Sequence, residues 1–273
     1  TGKSWAVIHD VEATGTITAK AGGVGGLVGV AVNLIMKRCS FSGDIVNSGR
    51  RMGGLVGYHN CQEEGNYLRI EDSWSAGTMS GQQNMGGILG QTQYNNGTNG
   101  YNTTASVIKH CYSTMSITAN QNAGGIIGGA SYGGTYATLE LDITKDMVIG
   151  NIAWNDKIEC KSTTTGNYSS GAVVGYCNIY QYFVDCYRKP NYPLSCPVTD
   201  SQPIVVLDQD NTSPTFTLFT GTVADSACPY AYQHAYPYHG KEAAAGSTVS
   251  SVAKQLKWDE TVWDLSGDLP VLK

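Results

Sequence analysis

The chain has 273 residues, with 17 Lys and Arg against 22 Asp and Glu, a formal net charge of −5 and a pI near 5.5. There is no basic excess to neutralise phosphates, which excludes a nucleic-acid partner, and no apolar run approaches the roughly 18 residues that a membrane-crossing helix needs. Only 14% of the residues are charged, against about 25% in an ordinary soluble domain, while 34 glycines and 17 tyrosines point to a β-rich chain with many turns.

In chain order, the opening TGKSWAVIHD carries no signal-peptide pattern and reads as a processed or trimmed end. A glycine motif then recurs. It stands at Gly25–Gly29 (GGLVG), Gly53–Gly57 (GGLVG), Gly86–Gly90 (GGILG) and Gly124–Gly128 (GGIIG), with a looser copy at Ser170–Gly175 (SGAVVG). The apolar pairs begin at Leu27, Leu55, Ile88, Ile126 and Val173, so the spacing grows through 28, 33, 38 and 47 residues, as it would if one unit carried loops of increasing length. An aromatic anchor precedes three of the copies by a constant interval: Phe41, Trp74 and Tyr112 each lie 14 residues before Leu55, Ile88 and Ile126. Looser echoes stand at Trp154 and Tyr187.

Short alternations such as GDIV, GTMS and MSIT predict strands of three to five residues in each unit. Helical repeats are excluded, because paired glycines would each cost about 1 kcal/mol inside a helix. The prediction is an all-β chain, a β-solenoid of the right-handed β-helix type with about five or six coils and a C-terminal cap. In it Gly26, Gly29, Gly54, Gly57, Gly87, Gly90, Gly125 and Gly128 are structural, supplying positive φ at corners and room for backbone to pass close to backbone. The anchors invite a sugar-stacking role, but their recurrence at a fixed offset favours a ladder of rings at one corner.

Composition changes near residue 190. All eight prolines lie from Pro190 onward, while 30 of the 34 glycines precede it. The division expected is therefore 1–189 for the repeats, 190–246 for a proline-rich cap or insertion, and 247–273 for a short helix, N-capped by Ser247 or Thr248, and a final rung.

The GGLVG copies, together with the Cys-Tyr and Ser-Trp anchors, resemble the GLUG repeat of bacterial surface adhesins and of accessory regions in some immunoglobulin A proteases. The closing LKWDETVWDLSGDLPVLK is similar to the end of such proteins from Bacteroides-like bacteria. The resemblance covers about residues 11–189 and the last 20, and the fifth copy departs from it with Ala172 in place of the second glycine. It implies an exported, cell-surface β-solenoid and carries no catalytic residues.

The search for chemistry is mostly negative. There is no His-Glu-x-x-His, no phosphate-binding glycine loop and no Cys-x-x-Cys pair, so neither a cofactor nor a metal is expected. GASYG (129–133) fits Gly-x-Ser-x-Gly around Ser131, but the strand-like text after it favours a turn over a nucleophile elbow. DQDNTS (208–213) lacks the glycine and distal glutamate of a calcium loop. Cys39, Cys111 and Cys186 fall at anchor positions and read as reduced core thiols, whereas Cys196 and Cys228 bracket the proline-rich segment and would close it as a disulfide in an exported chain.

CPYAYQHAYPYHG places Tyr230, Tyr232, His234, Tyr236, Tyr238 and His239 together as the candidate ligand-binding segment, suited to a glycan or host-protein ligand. The insertion at 91–104 is a second candidate loop. The function expected is a non-catalytic, adhesin-like binding or structural module. The alternatives are a polysaccharide-active β-helix enzyme drawing on Glu71, Asp72, Asp156 or Asp185, and a spacer carrying another domain. Such an enzyme would bring three or more ionisable side chains into one groove. The first coil, if uncapped, is expected to pack on a further domain.

Overall fold

The computed structural model describes residues 4–20, 22–61, 66–94, 106–132, 147–161, 170–177, 182–192, 205–206, 217–218 and 240–273. It is all-β apart from one helix among those residues, Val249–Gln255. Each repeat gives strands to three sheets, and equivalent strands of successive repeats pair in parallel. The first sheet runs in chain order through Ala6–His9, Leu34–Lys37, Leu68–Glu71, Ser106–Lys109, Met147–Ile149 and Tyr182–Val184, then Val205–Val206 and the antiparallel Thr217–Leu218. The second holds the strands that follow the glycine pairs, from Val28–Ala31 through Val56–Cys61, Leu89–Tyr94 and Ile127–Tyr132 to Val174–Cys177. The third is built on Glu12–Ala19, Ser40–Gly53, Trp74–Gly86 and Ser116–Gly124, with shorter partners ending at Lys241–Glu242.

The growing motif interval is the register itself: Val28, Val56, Leu89, Ile127 and Val174 are successive partners. Inward side chains stack in rows of like chemistry, as in Ile45–Met79–Ile117–Ile158 and Met36–Ile70–Ile108–Val148. All of these are buried, and together they make one continuous core. Two strands are much longer than the alternations predict, 14 residues at Ser40–Gly53 and 13 at Trp74–Gly86, because pairing continues past the short apolar run to the next glycine pair.

The glycine pairs act differently from the expectation of positive φ. None of the eight motif glycines has it; what they supply is close approach. A Cβ on Gly26 would meet Gly54 O at 2.3 Å, one on Gly54 would meet Gly87 O at 1.9 Å, and one on Gly87 would meet Gly125 O at 2.1 Å. A Cβ on Gly125 would meet Ala172 O at 2.1 Å. Each glycine thus faces the carbonyl of the following unit. Ala172 is the last of the row among the described residues, which explains why that copy tolerates a methyl group.

Among the described residues, positive φ recurs instead at two columns of mostly polar residues, besides a glycine column (Gly15, Gly43, Gly77) and single positions near the C-terminal end. One column follows the first-sheet strands: Asp10, Arg38, Asp72, His110, Gly150 and Asp185, with φ between 48° and 62°. The other precedes the glycine pairs: Gly23, Arg51, Asn84 and Asn122, with φ between 53° and 83°. Asn and Asp enter the left-handed region most readily among non-glycine residues. Asn122 Nδ2 donates to Asn84 Oδ1 at 2.7 Å, and Asn84 Nδ2 and Arg51 Nε both donate to Gln91 Oε1 of the second sheet, at 2.8 and 2.9 Å, so three members of the column are tied together, two of them through Gln91.

The aromatic anchors are not one ladder. Trp74 pairs with Tyr112, and their rings stack with centroids 5.8 Å apart and 7° between planes. Trp74's partner on the other side is Ser40, while Phe41 stands opposite Ser75. An irregularity between Asn47 and Arg50 gives the earlier strand one extra residue, so equal spacing in sequence hides a one-residue slip, and a one-residue slip reverses the face. Phe41 therefore points into the core, against Gly26, while Trp74 and Tyr112 point outward. Tyr187 joins the outward row by pairing with Ile152, and Trp154, just past the strand Ile152–Ala153, is half-buried against the same cluster.

The C-terminal segment covers that outward row. The helix Val249–Gln255 starts at Thr248, whose hydroxyl accepts from Ser251 N in a capping box. Val249, Val252, Ala253, Trp258, Trp263 and Leu265 pack over Tyr112, Ile152 and Tyr187. Tyr112 Oη donates to Pro270 O at 2.9 Å, Trp258 Nε1 to Gly150 O at 3.0 Å and Trp263 Nε1 to Asp72 Oδ1 at 3.3 Å. The expected short helix is present, but the final rung is not. Trp263–Asp264 and Val271–Leu272 pair antiparallel with each other only, and the third sheet ends earlier, where Lys241–Glu242 pairs with Tyr187–Arg188. The segment lies across the sheet face because the exposed aromatic row offered it apolar area there.

Candidate functional site

The outward row can be followed residue by residue along the third sheet: Glu12, Ser40, Trp74, Tyr112, Ile152, Tyr187, Lys241. The tail shields it from Tyr112 onward and stops short at Trp74. A groove of about 250 Å³ is left at that border, lined by Glu12, Ser40 and Trp74 of the row, Asp10, Val11 and Arg38 of the adjoining corner, and Val271, Leu272 and Lys273 of the tail.

The corner wall is an ion pair. Arg38 Nε and Nη2 donate to Asp10 Oδ1 and Oδ2 at 2.5 and 2.8 Å, a two-pronged contact across neighbouring units. His9 Nδ1 also lies 2.7 Å from Asp10 Oδ2. Hydrogen bonds from Arg38 and then His9 hold the Asp10 carboxyl far below the ordinary aspartate range, so it is a fixed anion. The tail wall is pinned as well, since Lys273 N donates to Val262 O at 3.0 Å and Lys273 Nζ to Glu260 O at 2.6 Å.

Three groups of the row stand free. The Ser40 hydroxyl, the Glu12 carboxylate and the Trp74 indole N–H make no hydrogen bond or ion pair with the described residues. The groove thus combines an aromatic ring, apolar edges, unpartnered donors and one unpartnered acceptor.

The carboxylates singled out in the sequence are consumed in the frame. Glu71 is buried beneath Lys37, 2.7 Å away, and Arg69 Nε donates to it at 2.6 Å. Burial pushes its carboxyl up, but the hydrogen bonds from Arg69 and Lys37 outweigh that and the net shift is downward. Asp72 and Asp185 occupy left-handed corners; the first faces His110 at 3.7 Å and the Trp263 indole, the second takes Lys241 Nζ at 2.7 Å. Asp156 pairs with Lys189 of the next unit. Ser131 lies in the strand Ile127–Tyr132, opposite Gln93, and not in a strand-to-helix turn.

Cys39, Cys111 and Cys186 are free thiols in the core. Burial pushes the Cys186 thiol up to about 12 and Cys111 well above its usual value, so neither supplies a thiolate nucleophile. They alternate along one corner with Ser73 and Asn151, whose side-chain oxygens accept from Cys39 N at 3.0 Å and Cys111 N at 2.9 Å. His59 is buried too, with Nδ1 3.0 Å from both Thr92 Oγ1 and Ser106 Oγ and Nε2 3.3 Å from Val32 O.

Tyr230, Tyr232, His234, Tyr236, Tyr238 and His239 lie outside the described residues, as do Cys196, Cys228, DQDNTS and residues 95–104 of the inserted loop. Of the groove, sequence reasoning reached Trp74 alone. Glu12, Ser40, Asp10 and Arg38 carry no motif, and only the register, with its hidden extra residue, aligns them with the indole.

No protein-family model matches the chain, and no solved structure matches it. One similar curated protein is described as halomucin, from Haloquadratum walsbyi, 33% identical over 78 residues, or 27% of this chain. The chain spans about 1% of the length of that relative.

Proposed function

We propose that the protein is a non-catalytic, adhesin-like recognition module of an exported surface protein, built as a GLUG-type β-solenoid of the right-handed β-helix type with about five or six coils. Supporting the solenoid are three parallel sheets whose strands follow chain order and whose rows repeat the same chemistry. Supporting the surface location are the weakly charged composition and the partial likeness to halomucin.

The observation that carries the binding reading is the groove at Trp74, where an aromatic ring adjoins polar groups that the frame leaves unused. The ligand would be a glycan or a protein. A glycan array run alongside a panel of host surface proteins tests it: saturable binding to either class supports recognition, and binding to neither leaves the spacer reading.

A polysaccharide-active enzyme is favoured by one fact, that Asp10, Glu12, Arg38 and Lys273 gather in this groove. The alternative is a lyase or a hydrolase, and the chemistry goes against the hydrolase. Glycoside hydrolysis takes two carboxyl groups, one of them kept protonated by a raised pKa. Asp10 is shifted the other way and has both oxygens engaged, so Glu12 has no second carboxyl to work with.

A further inference from the structure

We propose that the groove between the Glu12–Ser40–Trp74 row and the strand Val271–Leu272 is a subsite for one uncharged hexopyranose unit. The inference rests on the recognition reading above and names the chemical class its ligand must have.

The argument begins with size. A cavity of about 250 Å³ lies below the range of roughly 300–1,000 Å³ for drug-sized ligands, which suits a single sugar ring and not a buried oligosaccharide.

The second element is the ring. The face of an indole is electron-rich, and the axial C–H bonds on one face of a pyranose carry partial positive charge. Trp74 is held for that contact: Tyr112 backs it with nearly parallel planes, 7° apart, and the tail fixes Tyr112 through Pro270. The ring that meets the ligand is therefore positioned before the ligand arrives.

Third is the arrangement of polar groups. Rows in a parallel sheet are about 4.8 Å apart, so Glu12, Ser40 and Trp74 present an acceptor, a hydroxyl and a ring within about 10 Å. Vicinal sugar hydroxyls, each donor and acceptor at once, match a carboxylate beside a hydroxyl. Ser40 is 2% exposed as a residue, but its hydroxyl is not among the enclosed unpartnered polar atoms and makes no bond to the described residues, so it faces the groove open to a ligand.

Charge then selects among sugars. Asp10 is neutralised by Arg38, and Glu12 and Lys273 are of opposite sign but joined by no ion pair, so the side chains of the lining sum to no formal charge while the Glu12 carboxylate stays unpaired. An acidic sugar would meet Glu12 with nothing free to neutralise it, since Arg38 already spends Nε and Nη2 on Asp10 and Lys273 Nζ is held by Glu260 O. An amino sugar would gain one carboxylate but face Arg38.

The experiment is a titration of the ¹⁵N-labelled protein with methyl glycosides of glucose, galactose and mannose, and in parallel with glucuronic acid and glucosamine. The readout is the Trp74 indole N–H resonance, assigned with Trp74→Phe. The expected result is a saturable shift of that resonance with at least one neutral glycoside, weakened about tenfold in Glu12→Gln/Ser40→Ala, a change of about 1.4 kcal/mol. Neither substitution removes a bond from the frame, so the rest of the spectrum should be unchanged. A shift produced by the charged sugars alone would overturn the neutral-hexose assignment. Glycan binding that leaves Trp74 unmoved would overturn the subsite while the recognition reading survives. Silence of every saccharide would overturn the subsite and the glycan branch together, leaving a protein ligand.

Discussion

Alanine at Gly87 tests whether the glycine motif is a matter of close approach. A Cβ there would stand 2.1 Å from Gly125 O and 2.2 Å from Ser113 Oγ, whereas ordinary contact begins near 3.4 Å. Relief requires the two units to part by about 1.3 Å (3.4 less 2.1) at a place where neither neighbour is the end of a flexible chain. That movement breaks the flanking bonds Gly87 N to Gly124 O, Ile88 N to Ile126 O and Leu89 N to Ile126 O, now 3.1, 2.9 and 3.0 Å. Three bonds at about 1 kcal/mol each, with about 1–3 kcal/mol of overpacking, make a loss of about 4–6 kcal/mol. Two substitutions serve as controls. Gly22→Ala meets nothing within 4 Å and has no positive φ, so it should be neutral or stabilising by about 0.4–1 kcal/mol. Ala172→Gly removes one buried methyl and loosens the unfolded chain, about 1–2 kcal/mol in all. Urea unfolding followed by tryptophan fluorescence, with amide exchange at Ile88 and Leu89, measures all three. If Gly87→Ala came within about 1 kcal/mol of Gly22→Ala, the close-approach argument would be wrong.

Removal of the Trp263 ring should cost about 3–5 kcal/mol and free the tail from the aromatic row, seen as new protease cleavage within 247–273 and loss of near-ultraviolet dichroism. His59 is held neutral, its pKa lowered to about 4 by burial, against about 6.5 when unfolded. The unfolded chain therefore binds the extra proton first, so stability is complete above about pH 6.5 and falls by roughly 3 kcal/mol as pH drops towards 4. A His59 ring resonance titrating near 6.5 in the folded protein would contradict this. Alkylation followed by peptide mapping should leave Cys39, Cys111 and Cys186 unmodified until denaturant is added, and rapid native labelling of any of the three would show that its corner opens.

The repeat was legible from the first pass because each unit must present the same atoms to the next. Motif spacings of 28, 33, 38 and 47 residues became the strand register without adjustment. The helix near Thr248 was legible for a local reason, a capping residue ahead of good helix formers. The anchors were half legible. Trp74 and Tyr112 share a row, but Phe41 does not, since one extra residue between Asn47 and Arg50 turns the strand over while preserving the count of 14.

The sequence by itself thus determined the all-β class, the repeating unit and the partners along the main rows, all consequences of local patterning and of glycines that nothing else could replace. Only the tertiary structure decided which residues hold the left-handed corners, since Arg38 and Arg51 do so against their own preference under the constraint of their neighbours. It also decided where the tail lies. Nothing near Trp263 in sequence indicates Tyr112, 151 residues earlier (263 − 112), yet their ring centroids are 5.9 Å apart. The groove exists because that long-range packing ends one row early, and the end of a covered surface is a property of the assembled sheet and not of any segment of chain.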